Sequence, residues 1–156
     1  MKTLVLSDSH GFSARLNGVL KNEADCPVVF FLGDGLRDLE RVRTAFPEKT
    51  FLCCNGNNDW NAAEHYDDFT YKYLEGHTVI ATHGHRCFVR QGLQELAEKA
   101  RAVRADVALY GHTHIPRQEF VGGVLCVNPG ALCDGRYAVL EFSAKGVEVT
   151  FKRADF

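Results

Sequence analysis

Five short clusters of polar residues stand out in this chain for what they could hold. Asp8-Ser9-His10, Gly33-Asp34, Asn55-Gly56-Asn57-Asn58-Asp59, Thr82-His83-Gly84-His85 and Gly111-His112-Thr113-His114 gather carboxylate, amide and imidazole groups, and five of the seven histidines fall within them. Alternate side chains of an extended segment share one side, so Asp-x-His and His-x-His can each present two ligands to one centre. Two carboxylates (Asp8, Asp34), the imidazoles of His10, His83, His112 and His114, and the amide oxygen of Asn57 suit a borderline divalent ion such as Mn, Fe, Zn, Co or Ni. Calcium or a thiolate centre fits less well, since no cysteine lies in the clusters. These donors are too many for one tetrahedral ion. With a shared carboxylate they fit two ions, each left with room for water and substrate oxygens.

Each cluster alone has an ordinary structural reading. Asp8-Ser9-His10 can cap a helix, Gly33-Asp34-Gly35 can turn, residues 55–59 have the composition of a surface loop, and a lone His83 is commonly just a hydrogen-bonded histidine. What joins them is position: each follows an apolar run, at 4–6, 28–32, 51–54, 79–81 and 107–110. Ligands of open α/β sheets gather outside the carboxyl ends of the strands, so the five clusters are expected at one edge of the fold.

The elements that must position them are short Val-, Leu- and Phe-rich runs alternating with stretches of helical period, as in βαβ units on a largely parallel sheet. Ser13 is expected to cap a helix carrying Leu16, Val19 and Leu20; Leu36, Leu39 and Val42 mark a second. The longest helix carries Val89, Leu93, Leu96, Ala97, Ala100 and Val103 on one stripe. Strands at 71–73 and 78–81 join at Glu75-Gly76. From Arg117 onward, strands at 119–121, 124–127, 137–142 and 147–151 with turns at Gly122-Gly123 and Lys145-Gly146 read as an antiparallel meander. Two sheets packed face to face with helices outside accommodate both parts.

At 156 residues, 46% hydrophobic and 24% charged, the chain has the length and composition of one globular domain. A formal charge of -2 excludes the basic surface of a general nucleic-acid binder. No apolar stretch approaches the ~18 residues that span a bilayer, and the apolar run near Met1 is too short for a signal-peptide core, so a cytoplasmic protein is expected. The six cysteines show no CxxC spacing and Cys53 adjoins Cys54, which reads as reduced, buried thiols.

In this order the clusters resemble the calcineurin-like metallophosphoesterase family, whose pattern runs D-x-H, G-D, G-N-H-[DE], H and G-H-x-H. The match covers residues 4–131 and includes Asn128-Pro129-Gly130-Ala131, similar to the family's NPG[SA] turn. Length and spacing look most like the small YfcE-like bacterial and archaeal phosphodiesterase branch. The resemblance implies one domain over residues 1–156, an α/β fold built as a four-layer α/β/β/α sandwich of two mixed β-sheets flanked by helices. It also implies two divalent metal ions, Mn2+ first, with Ni2+, Fe2+, Co2+ or Zn2+ acceptable. Asp8, His10 and His114 would hold one ion, Asn57, His83 and His112 the other, and Asp34 would bridge them. Two ions about 3.5–4 Å apart lower the pKa of a shared water towards about 7, and the resulting hydroxide attacks a phosphodiester in line with its leaving oxygen.

One position departs from the fuller pattern. Where many members carry a histidine thought to protonate the leaving group, this chain has Asn58, and an amide cannot act as a general acid near neutral pH. Diesters with good leaving groups are therefore expected as substrates. Asp59 then mainly braces its loop, and His85 is the remaining candidate for phosphate contact or proton delivery. Trp60 and Tyr66 either line a pocket for an aromatic group or simply pack. Arg86, Arg90, Arg117 and Arg136 are cations that could meet phosphate. The expected partner is a small phosphodiester, with no membrane and no long nucleic acid, and the resemblance implies a homo-oligomer. A non-catalytic scaffold like the small retromer subunit shares the fold, but such proteins tend to lose ligands and every ligand position here is filled. A nuclease of long nucleic acid would want a basic track. Two divalent ions would shift the formal charge of -2 to about +2, concentrated at one edge.

Overall fold

The structure is a computed structural model that describes residues 1–155. Its strands are β1 (Lys2–Leu6), β2 (Val28–Phe31), β3 (Thr50–Cys53), β4 (Phe69–Leu74), β5 (His77–Thr82), β6 (Val107–Leu109), β7 (Arg117–Val121), β8 (Val124–Asn128), β9 (Arg136–Ser143) and β10 (Gly146–Arg153). Its helices are α1 (Ser13–Asn22), α2 (Leu36–Val42) and α3 (Gln94–Ala102). The strands form two five-stranded mixed sheets, ordered β10-β9-β1-β2-β3 and β4-β5-β6-β8-β7. In the first, β1, β2 and β3 run parallel while β9 pairs antiparallel with β1 and β10 with β9. In the second, β5, β6 and β8 run parallel between antiparallel edge strands β4 and β7.

Alternation along the strands builds the layers. Val5, Phe30, Leu32, Val79, Ala81, Val107 and Leu109 meet between the sheets in one buried cluster. Leu4, Leu6, Val29 and Phe31 point the other way, against Leu16, Val19 and Leu20 of α1 and Leu36 and Leu39 of α2. Ile80, Ala108 and Tyr110 meet Leu96 and Ala100 of α3 on the outer face of the second sheet. One strand therefore serves two cores, because successive side chains leave a pleated strand on opposite faces. Helices, two sheets and a helix make the four expected layers.

Three local expectations are corrected. Ser13 is the first helical residue of α1; Phe12 occupies the N-cap, with no side-chain cap. The long helix starts only at Gln94, because the chain makes a single 3-10 turn at His85–Cys87 and a left-handed step at Phe88 (φ 52°) that α-helix cannot accommodate. Val89 and Leu93 keep their places in the core without helical geometry, whereas Val103 caps the helix and is exposed. Finally, the antiparallel strands after Arg117 are not one meander: the β7–β8 hairpin extends the second sheet and the β9–β10 hairpin returns to β1 of the first. All six cysteines are free thiols, five of them buried.

Candidate metal centre

The five clusters do meet. Asp8 and His10 follow β1, Asp34 follows β2, residues 55–59 follow β3, His83 follows β5, and His112 and His114 follow β6, all at the carboxyl ends of strands from both sheets. Loops converging this closely need small residues at the crossings: a Cβ on Gly56 would overlap Asp34 Oδ1, and one on Gly111 would overlap Ser7 Oγ. Asp8, His10, Asp34, His112 and His114 all take positive φ, between 43° and 69°. Asp and His tolerate this region better than most residues, and strained backbone of this kind concentrates at functional sites.

Asp8 is fully buried, and its Oδ2 accepts hydrogen bonds from Ser7 Oγ (2.5 Å) and the His112 backbone N–H (3.1 Å). Its Oδ1 is left facing His10 Nε2 at 3.2 Å and His114 Nε2 at 3.1 Å. Asp34 Oδ1 accepts from the Asn58 backbone N–H at 2.8 Å. Asp34 Oδ2 lies 3.3 Å from His83 Nε2 on one side and 3.8 Å from His10 Nε2 on the other. Asp34 Oδ2 thus stands between the two imidazoles. His83 is fully buried, with Nδ1 2.7 Å from the Leu32 carbonyl, so Nδ1–H donates there and Nε2 turns to the site. His112 Nδ1 completes the group, 3.2 Å from His83 Nε2.

Both clusters call for positive charge: burial lowers the His83 pKa, but the hydrogen bond to Asp34 and the charges of Asp8 and Asp34 outweigh it and raise it. Asp8 Oδ1 with His10 and His114 forms one cluster of ligand atoms within 4.8 Å of one another, and Asp8, Asp34 and His83 form a second. Groups that attract protons cannot crowd together in the interior without a cation or protons between them, and a divalent ion is one cation that would satisfy such a cluster. Burial pushes the Asp34 carboxyl up, but hydrogen bonding and charge from His83 and the two Asn58 contacts outweigh it and hold Asp34 well below the usual carboxylate range. Burial and the nearby His83 push His112 down to about 4, leaving its lone pair free near neutral pH.

The remaining expected residues sit around this core. Asn57 is exposed and shares a cavity of about 420 Å³ with Trp60, His65, His85 and Arg86, without hydrogen-bond contact to the ligand cluster. Asn58 approaches the core itself, its amide donating to Asp34 Oδ2 at 3.0 Å. The His85 ring lies 5.4 Å from that of His83 and 6.2 Å from that of His112; burial followed by the charge of His83 lowers its pKa. Trp60 lines the cavity and is 81% exposed, whereas Tyr66 turns away to bond Arg43 and Glu64. Asp59, buried, accepts backbone N–H groups from Asp34 (2.7 Å), Gly35 (2.9 Å), Leu36 (3.0 Å) and Gly56 (2.7 Å). Its carboxylate thus ties the Asp34 loop, the Asn57 loop and the start of α2 together.

Several contributors carry no ligand-type spacing in the sequence. Asp38 of α2 accepts from Ser9 Oγ (2.6 Å) and the Gly11 N–H (2.8 Å) and so fixes the loop that carries His10. Asn128, fully buried, donates to the Gly111 carbonyl (3.0 Å) and Thr113 Oγ1 (2.9 Å), pinning the His112–His114 loop. Cys133 and Asp134 come within ligand reach of His114 although no cysteine lies in the sequence clusters, because the 3-10 turn Leu132–Asp134 docks its backbone on Ser7 and Asp8. Burial raises the pKa of the Cys133 thiol, which keeps it protonated.

A family model described as the calcineurin-like phosphoesterase superfamily domain matches residues 1–145. The probable metallophosphoesterase YsnB of Bacillus subtilis is 30% identical over 97% of this chain and 90% of its own length. Phosphodiesterase MJ0936 of Methanocaldococcus jannaschii is 28% identical over 85% of each. The solved structure of a predicted phosphoesterase from Streptococcus pneumoniae superposes with a TM-score of 0.81 at 29% identity, covering 99% of this chain and 90% of that one. Vps29 of Entamoeba histolytica shares the fold at a TM-score of 0.73 and 19% identity, over 98% of this chain and 99% of that one.

Proposed function

This chain belongs to the calcineurin-like phosphoesterase superfamily, and from that premise we propose that it hydrolyses phosphodiesters at a dinuclear centre. It is a metal-dependent phosphoesterase; the diester preference and the two-ion count are the proposal. The observation that supports it is a pair of ligand clusters joined through carboxylates: Asp8 belongs to both, and Asp34 Oδ2 lies between His83 and His10. Asp8, His10 and His114 would hold one ion, His83, His112 and Asn57 the other, with Asp34 common to both. A mixed oxygen and imidazole set of this kind accepts Mn, Fe, Co, Ni or Zn, and availability selects among them.

When bound, such ions supply Lewis acidity and a water acidified enough to act as nucleophile near neutral pH. The chain's own residues supply the rest. Ser7 and the His112 N–H hold one oxygen of Asp8 and leave the other for the metal. Leu32 fixes the tautomer of His83. The Asn58 amide, at the rim beside Asp34, is a donor for a phosphoryl oxygen but not a proton source, and His85 would meet the substrate from the cavity it shares with Asn57 and Trp60. Water adds across one P–O bond, releasing an alcohol and leaving a phosphomonoester. An alkoxide leaving without a strong acid behind it leaves slowly, so aryl and nucleotide-like diesters are the favoured class.

Residues 1–156 would form one such domain, working in the cytoplasm on a small substrate. Among the described residues no helix is long and apolar enough to cross a membrane. The purified protein, loaded with Mn2+, should hydrolyse bis(p-nitrophenyl) phosphate and lose activity to a chelator. The fold shared with Vps29 keeps a non-catalytic scaffold as the second reading. A protein that binds no divalent ion and leaves the diester intact would be that scaffold.

A further inference from the structure

A second cavity, of about 340 Å³, opens on the centre from the α2 side. One wall is the site itself, with His10, Asp34 and Asn58; the other is formed by Arg37 and Arg41 of α2 with Asn61. The two arginines are four residues apart, one helical turn, so both present to the same face. Neither forms a hydrogen bond or ion pair among the described residues. Other arginines around the centre are engaged: Arg86 with Asp68 (3.5 Å), Arg117 with Glu119 (2.7 Å), Arg43 with Tyr66 (2.7 Å) and Arg15 with the Cys133 carbonyl (2.5 Å). Arg90 stands alone on a different cavity.

The acids that line the α2 cavity form no ion pair with the two arginines, because the oxygens of each are turned to other donors. Asp38 accepts from Ser9 and Gly11, Asp59 accepts four backbone N–H groups, and Asp34 belongs to the ligand cluster. Two forked guanidinium groups and an amide, with their N–H donors unpaired among the described residues, match a phosphate monoester, whose oxygens accept several N–H donors at once.

We propose that Arg37 and Arg41 bind a second phosphate carried on one alcohol arm of the substrate, so that the preferred diesters are those already phosphorylated on that arm. This rests on the diesterase function proposed above and names the substrate class for it. With one phosphorus at the centre and the arm running along the cavity, the second phosphate meets the helix face at its far wall.

The test compares kcat/KM for thymidine 3′-phosphate 5′-(p-nitrophenyl phosphate) with that for thymidine 5′-(p-nitrophenyl phosphate), using the Mn2+-loaded protein. A pair of charge-assisted contacts predicts a preference of at least about tenfold for the 3′-phosphorylated diester, residing mainly in KM. The R37A/R41A variant should lose that preference, while K145A, which removes one positive charge at the distant β9–β10 turn, should keep it. Alanine suits both helical positions, so folding is preserved. Equal kcat/KM for the two diesters in the wild type, or a preference that survives R37A/R41A, overturns the proposal. If neither diester is cleaved, the diesterase function fails, and calorimetric titration then decides the cavity alone. Thymidine 3′,5′-bisphosphate should bind about tenfold more tightly than thymidine 5′-monophosphate in the wild type and equally in the variant; equal binding in the wild type refutes the cavity's role.

Discussion

Replacing Asp59 by Asn tests whether this carboxylate is a brace or a reacting group. Its two oxygens accept four backbone N–H groups, from Asp34, Gly35, Leu36 and Gly56, and it is 5% exposed. Two of these donors belong to the start of α2, which lacks a side-chain cap of its own, so Asp59 caps that helix from another loop. Asparagine keeps the shape but only one acceptor oxygen, so two N–H groups would face an NH2. At about 1.5–3 kcal/mol for each lost bond to a charged acceptor, the substitution costs about 3–6 kcal/mol. That is a large share of the ~5–15 kcal/mol that holds a domain folded. With a urea slope of about 2 kcal/mol/M, the midpoint should fall by about 1.5–3 M at unchanged slope. Unfolding is followed by circular dichroism in the presence of chelator, since a bound ion would add its own stabilisation. D67N, at an exposed loop position, is the control and should move stability by less than about 0.5 kcal/mol. A D59N midpoint within about 0.3 M of the wild type would refute the bracing argument.

Other outcomes follow from the same contacts. D34N keeps the shape of the side chain but removes the shared charge, and should reduce Mn2+-dependent diester hydrolysis by about three orders of magnitude in a protein with native circular dichroism; undiminished turnover would sink the two-ion model. N58H places an imidazole where the amide now stands beside Asp34, and should raise monoester relative to diester hydrolysis, measured with p-nitrophenyl phosphate and its bis-ester; an unchanged ratio would count against a missing proton donor. His77 is held by Asp106 (2.6 Å) and the Ser143 carbonyl (2.8 Å), which raise its pKa. A raised folded pKa gives stability that is complete below the unfolded value near 6.5 and disappears as pH rises through the folded value. Asp106 is half exposed, and screening keeps the contribution below about 1 kcal/mol. Urea midpoints should therefore decline more between pH 6 and pH 9 for the wild type than for H77A, and parallel declines would contradict the ion pair.

Much of this architecture was legible in the sequence, and where it was not, the physics explains why. Alternation set the strands reliably because Leu4, Val5 and Leu6, or Val79, Ile80 and Ala81, are apolar on both sides, as strands between two cores must be. It could not say which sheet a hairpin joins: β7–β8 and β9–β10 have the same local pattern, yet β8 pairs with β6 just before its hairpin whereas β9 pairs with β1 at the other end of the chain. The stripe from Val89 to Val103 read as one helix because burial alone was visible. Val89 and Leu93 are buried, but the turn at His85–Cys87 and the left-handed Phe88 give them that burial without helix.

At the site the division runs between ligands and the groups that hold them. The ligand candidates announced themselves because metal-type residues are rare and their spacing after strands is regular. Of the braces, Asp59 was legible as one from its place in the loop after β3 and Asn128 as part of a turn motif, whereas Asp38 reads as an ordinary helix residue until its contacts are in view. Yet the ligands depend on them. Five of the seven candidate ligands sit at positive φ, and at about 1 kcal/mol each that strain totals about 5 kcal/mol, comparable to the stability of a whole domain. Each strained loop has its own buried acceptor or donor: Asp38 for His10, Asp59 for Asp34, and Asn128 for His112 and His114. Removing a brace releases the strain it opposed, so the ligand geometry should fail before the fold does. A brace variant that still folds should thus bind Mn2+ weakly, with all of its ligands in place.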